Sequence, residues 1–264
     1  MIQEKGFLQV TTPSWPAAGN QQTPRATDGN TLGCVNDNDV KVSQHFFSLK
    51  LSKDDVIEVL KALNNASVVT DPTNRQIVSN GGPQEIQILV KALGTRSRST
   101  SVTVVQLSSG VGLISKSSRF NVPPWQMVSA LLGNVPLRTA TWWADPKIDS
   151  TAVSTPVRCW DDQLGTPGAV EIATSGQWDG TVYSLKAGPS PDGNHAKIGV
   201  STAGTHDFSI FGDMNQQGTL SGANCASSQN GRGGLFYVID NAALADGIRG
   251  LIKGDTAPTR ALPH

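Results

Sequence analysis

Asn194-His195-Ala196-Lys197-Ile198-Gly199-Val200, followed after a short turn by Phe211-Gly212-Asp213-Met214-Asn215, is the stretch on which the reading of the fold turns. In a strand, residues i and i+2 project to one face. His195 and Lys197 are therefore expected side by side on a strand, with Ala196, Ile198 and Val200 alternating into the core. An imidazole held beside an ammonium on a rigid element suits a phosphate ester. The ammonium neutralises phosphoryl oxygens while the imidazole attacks phosphorus or protonates the leaving oxygen. Asn215, beyond a second strand over 207–211, is expected to bring an amide donor back to the same spot.

A His-x-Lys triplet alone is common by chance. Here it is joined by the Gly212-Asp213-Met214-Asn215 turn and by the glycine-rich run Asn230-Gly231-Arg232-Gly233-Gly234. His195-x-Lys197 with a Gly-x-x-Asn turn resembles the active-site signature of the phospholipase D superfamily. The longer run Gly212-Asp213-Met214-Asn215-Gln216, then Arg232-Gly233-Gly234, is similar to the C-terminal end of the deoxyribonuclease II family. A weaker likeness reaches back through Thr31-Leu32-Gly33-Cys34-Val35 to Gly6-Phe7-Leu8-Gln9-Val10 and Pro13, which look like the strand and loop after that family's first His-x-Lys. The family carries two such motifs per chain, whereas this sequence has one.

The resemblance implies an α/β, phospholipase D-like mixed sheet flanked by helices, in two similar halves. Residues 1–100 would be the remainder of an N-terminally incomplete first half, and residues 101–264 the half carrying His-x-Lys. It further implies metal-independent, acid-favoured endonucleolysis of DNA that leaves 3′-phosphates. Catalysis would fall to His195, Lys197 and Asn215, with His195 as general acid and a missing upstream histidine as nucleophile, or the reverse. An acid optimum fits, because a general-acid histidine must be protonated and its ordinary pKa is about 6.5. Asp213 and Arg232 would contact substrate. The block containing Lys116 and Arg119, a strand, a basic turn, a helix and a Trp-bearing strand, also resembles that family. It makes both side chains candidate phosphate contacts from an exposed turn.

Composition sets the bounds. A chain of 264 residues with 27 Gly and 15 Pro is long enough for a real core and favours a strand- and loop-rich α/β protein. With 21 basic and 21 acidic residues it lacks the global charge of a DNA-packaging or regulatory protein. A nuclease needs only a local basic groove, so DNA stays open as a substrate. Cys34, Cys159 and Cys225 cannot all pair within the chain, and none sits in a Cys-x-x-Cys spacing. One disulfide with a free thiol, or a fully reduced chain, are both open. No metal-spaced His/Asp/Glu cluster, Walker loop or G-x-S-x-G elbow is visible, so neither a metal nor a cofactor is expected.

The first residues have no apolar core or cleavage site of a signal peptide, and no apolar run approaches a membrane span. The family resemblance instead implies a secreted or lysosomal-type compartment. A strand over 7–12, starting almost at the first residue, suggests a chain entering in mid-fold that supplies one of two half-sites. Such a chain would be weakly active alone, or competent as a homodimer pooling two copies of His195. Two other functions compete: a non-catalytic nucleic-acid binder, and a phospholipase-type phosphodiesterase. The second would need an apolar wall that the polar loop over 216–234 does not suggest.

Along the chain, residues 13–28 read as a solvated loop, and 31–35 and 45–51 as strands. His45, before two phenylalanines and with no ligand-spaced neighbour, reads as structural. Ser52 and Asp55 form a capping-box pattern ahead of Val56, Val59, Leu60 and Leu63. Pro72 and Gly81-Gly82-Pro83 mark turns, and 85–93 is open between helix and strand. Strands are expected over 101–107, 111–114 and 137–143, with a helix over 124–132 opened by proline and stopped by Gly133. Further strands are expected over 169–173, 181–185 and 235–239, then a helix capped by Asp240 or Asn241. Residues 189–193 read as the turn delivering the site strand, His206 as a solvated turn residue, and the tail from 255 as loose.

Overall fold

A computed structural model describes residues 2–3, 6–10, 42–43, 45–69, 82–188 and 193–260; the segments before residue 45, and Phe46, are described by backbone alone. The expected loop over 13–28, the strand over 31–35, Cys34, the turns at Pro72 and Gly81, the turn over 189–192 and residues 261–264 lie outside them. In chain order come β1 (Ile2–Gln3), β2 (Gly6–Val10), β3 (Val42–Ser43), β4 (Phe46–Leu49), α1 (Lys53–Asn65) and α2 (Gln84–Ala92). Next are β5 (Val102–Gln106), β6 (Gly112–Lys116), α3 (Pro124–Leu131), β7 (Leu137–Ala140), β8 (Val170–Ile172), β9 (Ser175–Trp178) and β10 (Thr181–Ser184). Last come β11 (Gly193–Asn194), β12 (Ile198–Ser201), β13 (Phe208–Gly212), β14 (Gly234–Asp240) and α4 (Ala242–Leu251).

The chain is α/β, built on a mixed seven-stranded sheet in the order β5-β6-β14-β13-β12-β7-β8. Every neighbour pair in it is antiparallel except β7 with β8. Alternation along β14 divides the core, as a period of two requires. Leu235 and Tyr237 pack with Val56, Val59 and Leu60 of α1, while Phe236 and Val238 pack with Trp125 and Val128 of α3. Ala245, Ile248 and Ile252 of α4 pack on Ala140, Ile198 and Val200, and Phe211 touches both the α1 and α4 clusters. Helices α1 and α4 thus share one face of the sheet and α3 covers the other. No helix among the described residues is long and apolar enough to cross a membrane.

Local chemistry explains these elements. Ser52 Oγ accepts from Asp55 N at 3.1 Å and Asp55 Oδ2 from Ser52 N at 3.2 Å, the reciprocal cap expected of α1. Asp55 also accepts from Ser108 N at 2.7 Å and Ser108 Oγ at 2.5 Å, so it pins the β5–β6 turn besides favouring the helix dipole. Pro124 opens α3, and Gly133, at φ +84°, follows its end. Trp125 is fully buried, donating its indole N–H to Met214 O at 3.0 Å and meeting Phe236 edge-on at 5.3 Å. Gly199 on β12 makes room for it: a Cβ there would stand 2.5 Å from Trp125 Cζ3.

Two expectations are corrected. The strand over 137–143 ends at Ala140, because Thr141 Oγ1 accepts from Gln216 N at 3.0 Å and Trp143 Nε1 donates to Ile148 O at 2.8 Å. The tail is bound through residue 260: Thr174 N donates to Asp255 O, Ala257 N to Ile172 O and Arg260 N to Ser150 O. The stretch 216–234 is packed, with Gln216, Leu220 and Asn230 buried and a Cys159–Cys225 disulfide across it. The ambiguous segment over 85–93 is helix α2, and β9 is a strand that no local pattern announced.

Candidate functional site

The backbone at the site is held by side chains. Strand β12 begins at Ile198, so His195, Ala196 and Lys197 form an extended lead-in between β11 and β12, a correction to their expected place within the strand. The ladder reaches only one side of Lys197: its carbonyl accepts from Gly212 N at 2.9 Å. Its N–H instead meets His45 Nδ1 at 3.2 Å, and Ala196 N meets Asn194 Oδ1 at 3.1 Å. Ala196, Ile198 and Val200 are buried as expected. The His195 ring lies against Trp142, with centroids 4.2 Å apart and planes tilted by 44°. Lys197 bends back so that Nζ donates to the His195 carbonyl. Burial pushes the Lys197 pKa down to about 8, with the Asp213 charge acting against that shift.

Asp213 and Asn215 follow β13, the strand paired with β12. Asp213 Oδ1 accepts from Leu235 N at 2.9 Å, and Gly234 allows the approach, since a Cβ there would collide with Asp213 and Met214. The Asp213 residue is exposed. Desolvation raises its pKa to about 6, against the pull of the Leu235 hydrogen bond and Lys197. Asn215 Nδ2 donates to Gln217 Oε1 at 3.3 Å, while its Oδ1 is buried with no hydrogen-bond partner among the described residues. The neighbours of Asn215 are fixed: Met214 O by Trp125 and Gln216 N by Thr141, next to the Trp142 that His195 touches.

The other expected contacts are placed differently. Lys116 is the last residue of β6, completely buried rather than on an exposed turn. Its Nζ donates to the carbonyls of Asn230 at 2.6 Å, Arg232 at 2.7 Å and Ser117 at 3.3 Å. An ammonium has three donors, so none is left for phosphate. Lys116 clamps the glycine-rich run, and burial pushes its pKa down to about 7. Arg119 is exposed, with its backbone N–H on Ser117 Oγ, and Arg232 is exposed two residues before β14. His206 is paired rather than merely solvated: Nδ1 lies 2.6 Å from Asp240 Oδ2 and the ring stacks on Phe208.

His45, read from the sequence as structural, is buried as expected, but its partner was not foreseen. It is 9% exposed and meets Phe211 edge-on at 5.8 Å; Nδ1 holds Lys197 N, and Nε2 is buried without a hydrogen-bond partner among the described residues. The available signal was its place two residues before Phe47, on the core-facing side of the strand. Burial, then the Lys197 charge, lowers its pKa from 6.5 to about 4. The unfolded chain therefore binds more protons between those values, and stability is lost as pH falls from 6.5 through 4. That interval is worth roughly 3 kcal/mol. The raised Asp213 pKa acts in the opposite direction, weakened by the water at its carboxyl. The urea midpoint is expected to drop from pH 6.5 to 4.5, and His45→Asn to flatten that drop. An unchanged slope in the variant would assign the acid lability to carboxylates instead.

Among the described residues, no three His, Cys, Asp or Glu side chains come together to hold a metal ion. No protein-family model matches the chain, and a search of curated proteins returns no relative.

Proposed function

We propose that this chain is a deoxyribonuclease II-like phosphodiesterase with a phospholipase D-like fold, acting on DNA at acidic pH without a metal ion. The observation that carries the reading is the His195–Lys197 lead-in. It sets an imidazole and a buried ammonium at one end of the sheet, with Asp213 and Asn215 delivered by the adjacent strand. Lys197 neutralises the non-bridging phosphoryl oxygens as charge builds in the transition state. His195, as imidazolium, gives its proton to the 5′ oxygen as the P–O5′ bond breaks. Water supplies its hydroxyl to phosphorus and its remaining proton restores the His195 imidazolium, leaving a 3′-phosphate and a 5′-hydroxyl.

Acid pH suits the neighbours of this pair. Below about 6 the Asp213 carboxyl is increasingly neutral and ceases to repel a phosphate, while Lys197 stays charged well below about 8. The Cys159–Cys225 disulfide belongs with an oxidising compartment. Nicking of supercoiled plasmid at mildly acidic pH is expected to proceed at the same rate with and without EDTA. Loss of nicking in chelator, restored by Mg²⁺, would move the chemistry to other residues.

A further inference from the structure

The amide that most needs an explanation is that of Lys197. It is buried, stands one residue outside the ladder of β12, and is met by a side chain 152 residues away in sequence, His45. Building on the phosphodiesterase reading, we propose that His45 is a positioning residue of the phosphate site: its neutral ring accepts the Lys197 N–H at Nδ1 and thereby fixes the His195–Lys197 lead-in.

The choice of histidine supports this. With Nδ1 as acceptor, the ring proton sits on Nε2. That leaves a buried N–H without a partner among the described residues, a destabilising arrangement that a phenylalanine would avoid. Phe47, two residues on, shows how such a side chain fits: it stacks on Phe211 at 4.9 Å and packs against Tyr237 at 4.9 Å. What histidine adds over phenylalanine is the acceptor for Lys197. The same tautomer removes His45 as a nucleophile, because the Nε2 lone pair is protonated and the Nδ1 lone pair is engaged. The other bonds of the lead-in engage different groups. Asn194 Oδ1 accepts from Ala196 N, Lys197 O accepts from Gly212 N, and His195 O accepts from Lys197 Nζ. Without His45, the Lys197 amide would have to find water inside the core. The segment that aims both site side chains would then lose one of its holds.

Two variants separate the acceptor from the ring. In His45→Asn the amide oxygen stands where Nδ1 was, so the hydrogen bond is kept without a titratable group. His45→Phe keeps the aromatic volume and loses the acceptor. Three readouts apply to the full-length chain: the His45 tautomer by ¹⁵N NMR, hydrogen exchange of the Lys197 amide, and affinity for inorganic phosphate. The expected results are an Nε2–H tautomer in the wild type, and a protected Lys197 amide in the wild type and His45→Asn but not in His45→Phe. Phosphate affinity should be kept in His45→Asn and fall about tenfold in His45→Phe, the worth of one well-placed hydrogen bond. An Nδ1–H tautomer, or a Lys197 amide unprotected in His45→Asn, would overturn the proposal even if His45→Phe fails to fold. Equal protection in both variants would overturn it as well. Absence of phosphate binding in every form, with tautomer and exchange as expected, would sink the phosphodiesterase reading and leave the hold of His45 on Lys197 standing.

Discussion

Replacing Lys197 with methionine is expected to lower DNA nicking about 10²–10³-fold, the usual loss when one charge-stabilising group is removed from a transition state. Stability should stay level or rise. The Lys197 ammonium is almost wholly buried, its Nζ donates to the neighbouring His195 carbonyl, and burial depresses its pKa. Such a group is costly to the fold, and methionine of similar length relieves the desolvation. Opposite movements of activity and melting temperature would mark Lys197 as functional. A matched fall in both would reduce it to a structural lysine. His195→Ala, by removing an acid–base group, should cost about 10²–10⁴-fold at acidic pH. Nicking unchanged in both variants would end the proposed mechanism.

The largest expected loss of stability belongs to Trp125→Ala, at about 3–5 kcal/mol. The indole is fully buried between the sheet and α3, fills the space that Gly199 leaves open, and donates to Met214 O. Alanine removes this volume and leaves the Met214 carbonyl without its donor. The melting temperature should fall by about 10 °C or more. Trp125→Phe should lose less stability, because it restores most of the volume and none of the hydrogen bond. Met214 is next to Asn215, so this variant also loosens the chain that leads to the site. Comparable losses in the two variants would make the hydrogen bond, rather than the cavity, the dominant cause.

Local signals determined much of the fold. The Ser52–Asp55 cap, the proline-opened α3, the hairpins of β5 with β6 and β12 with β13, and the Asn241 cap of α4 each depend on residues close in sequence. Propensity, capping and period-two alternation act over such distances. The nearness of Lys197 and Asp213 was legible for the same reason, because one hairpin carries both.

What the sequence could not determine was set by partners far along the chain. Lys116 reads as an exposed cation, since nothing nearby tells that the carbonyls of Asn230 and Arg232 close over it. The tail reads as loose, since its amide and carbonyl partners lie at Ser150, Ile172 and Thr174. His45 reads as an ordinary core histidine, and only the parallel pairing of β3 with β11, just ahead of both residues, brings its Nδ1 to the Lys197 amide. Buried N–H groups, carbonyls and ammonium ions are nearly always paired, but pairing does not require closeness in sequence. Local pattern determined which groups needed partners, and tertiary packing alone decided which partners they received.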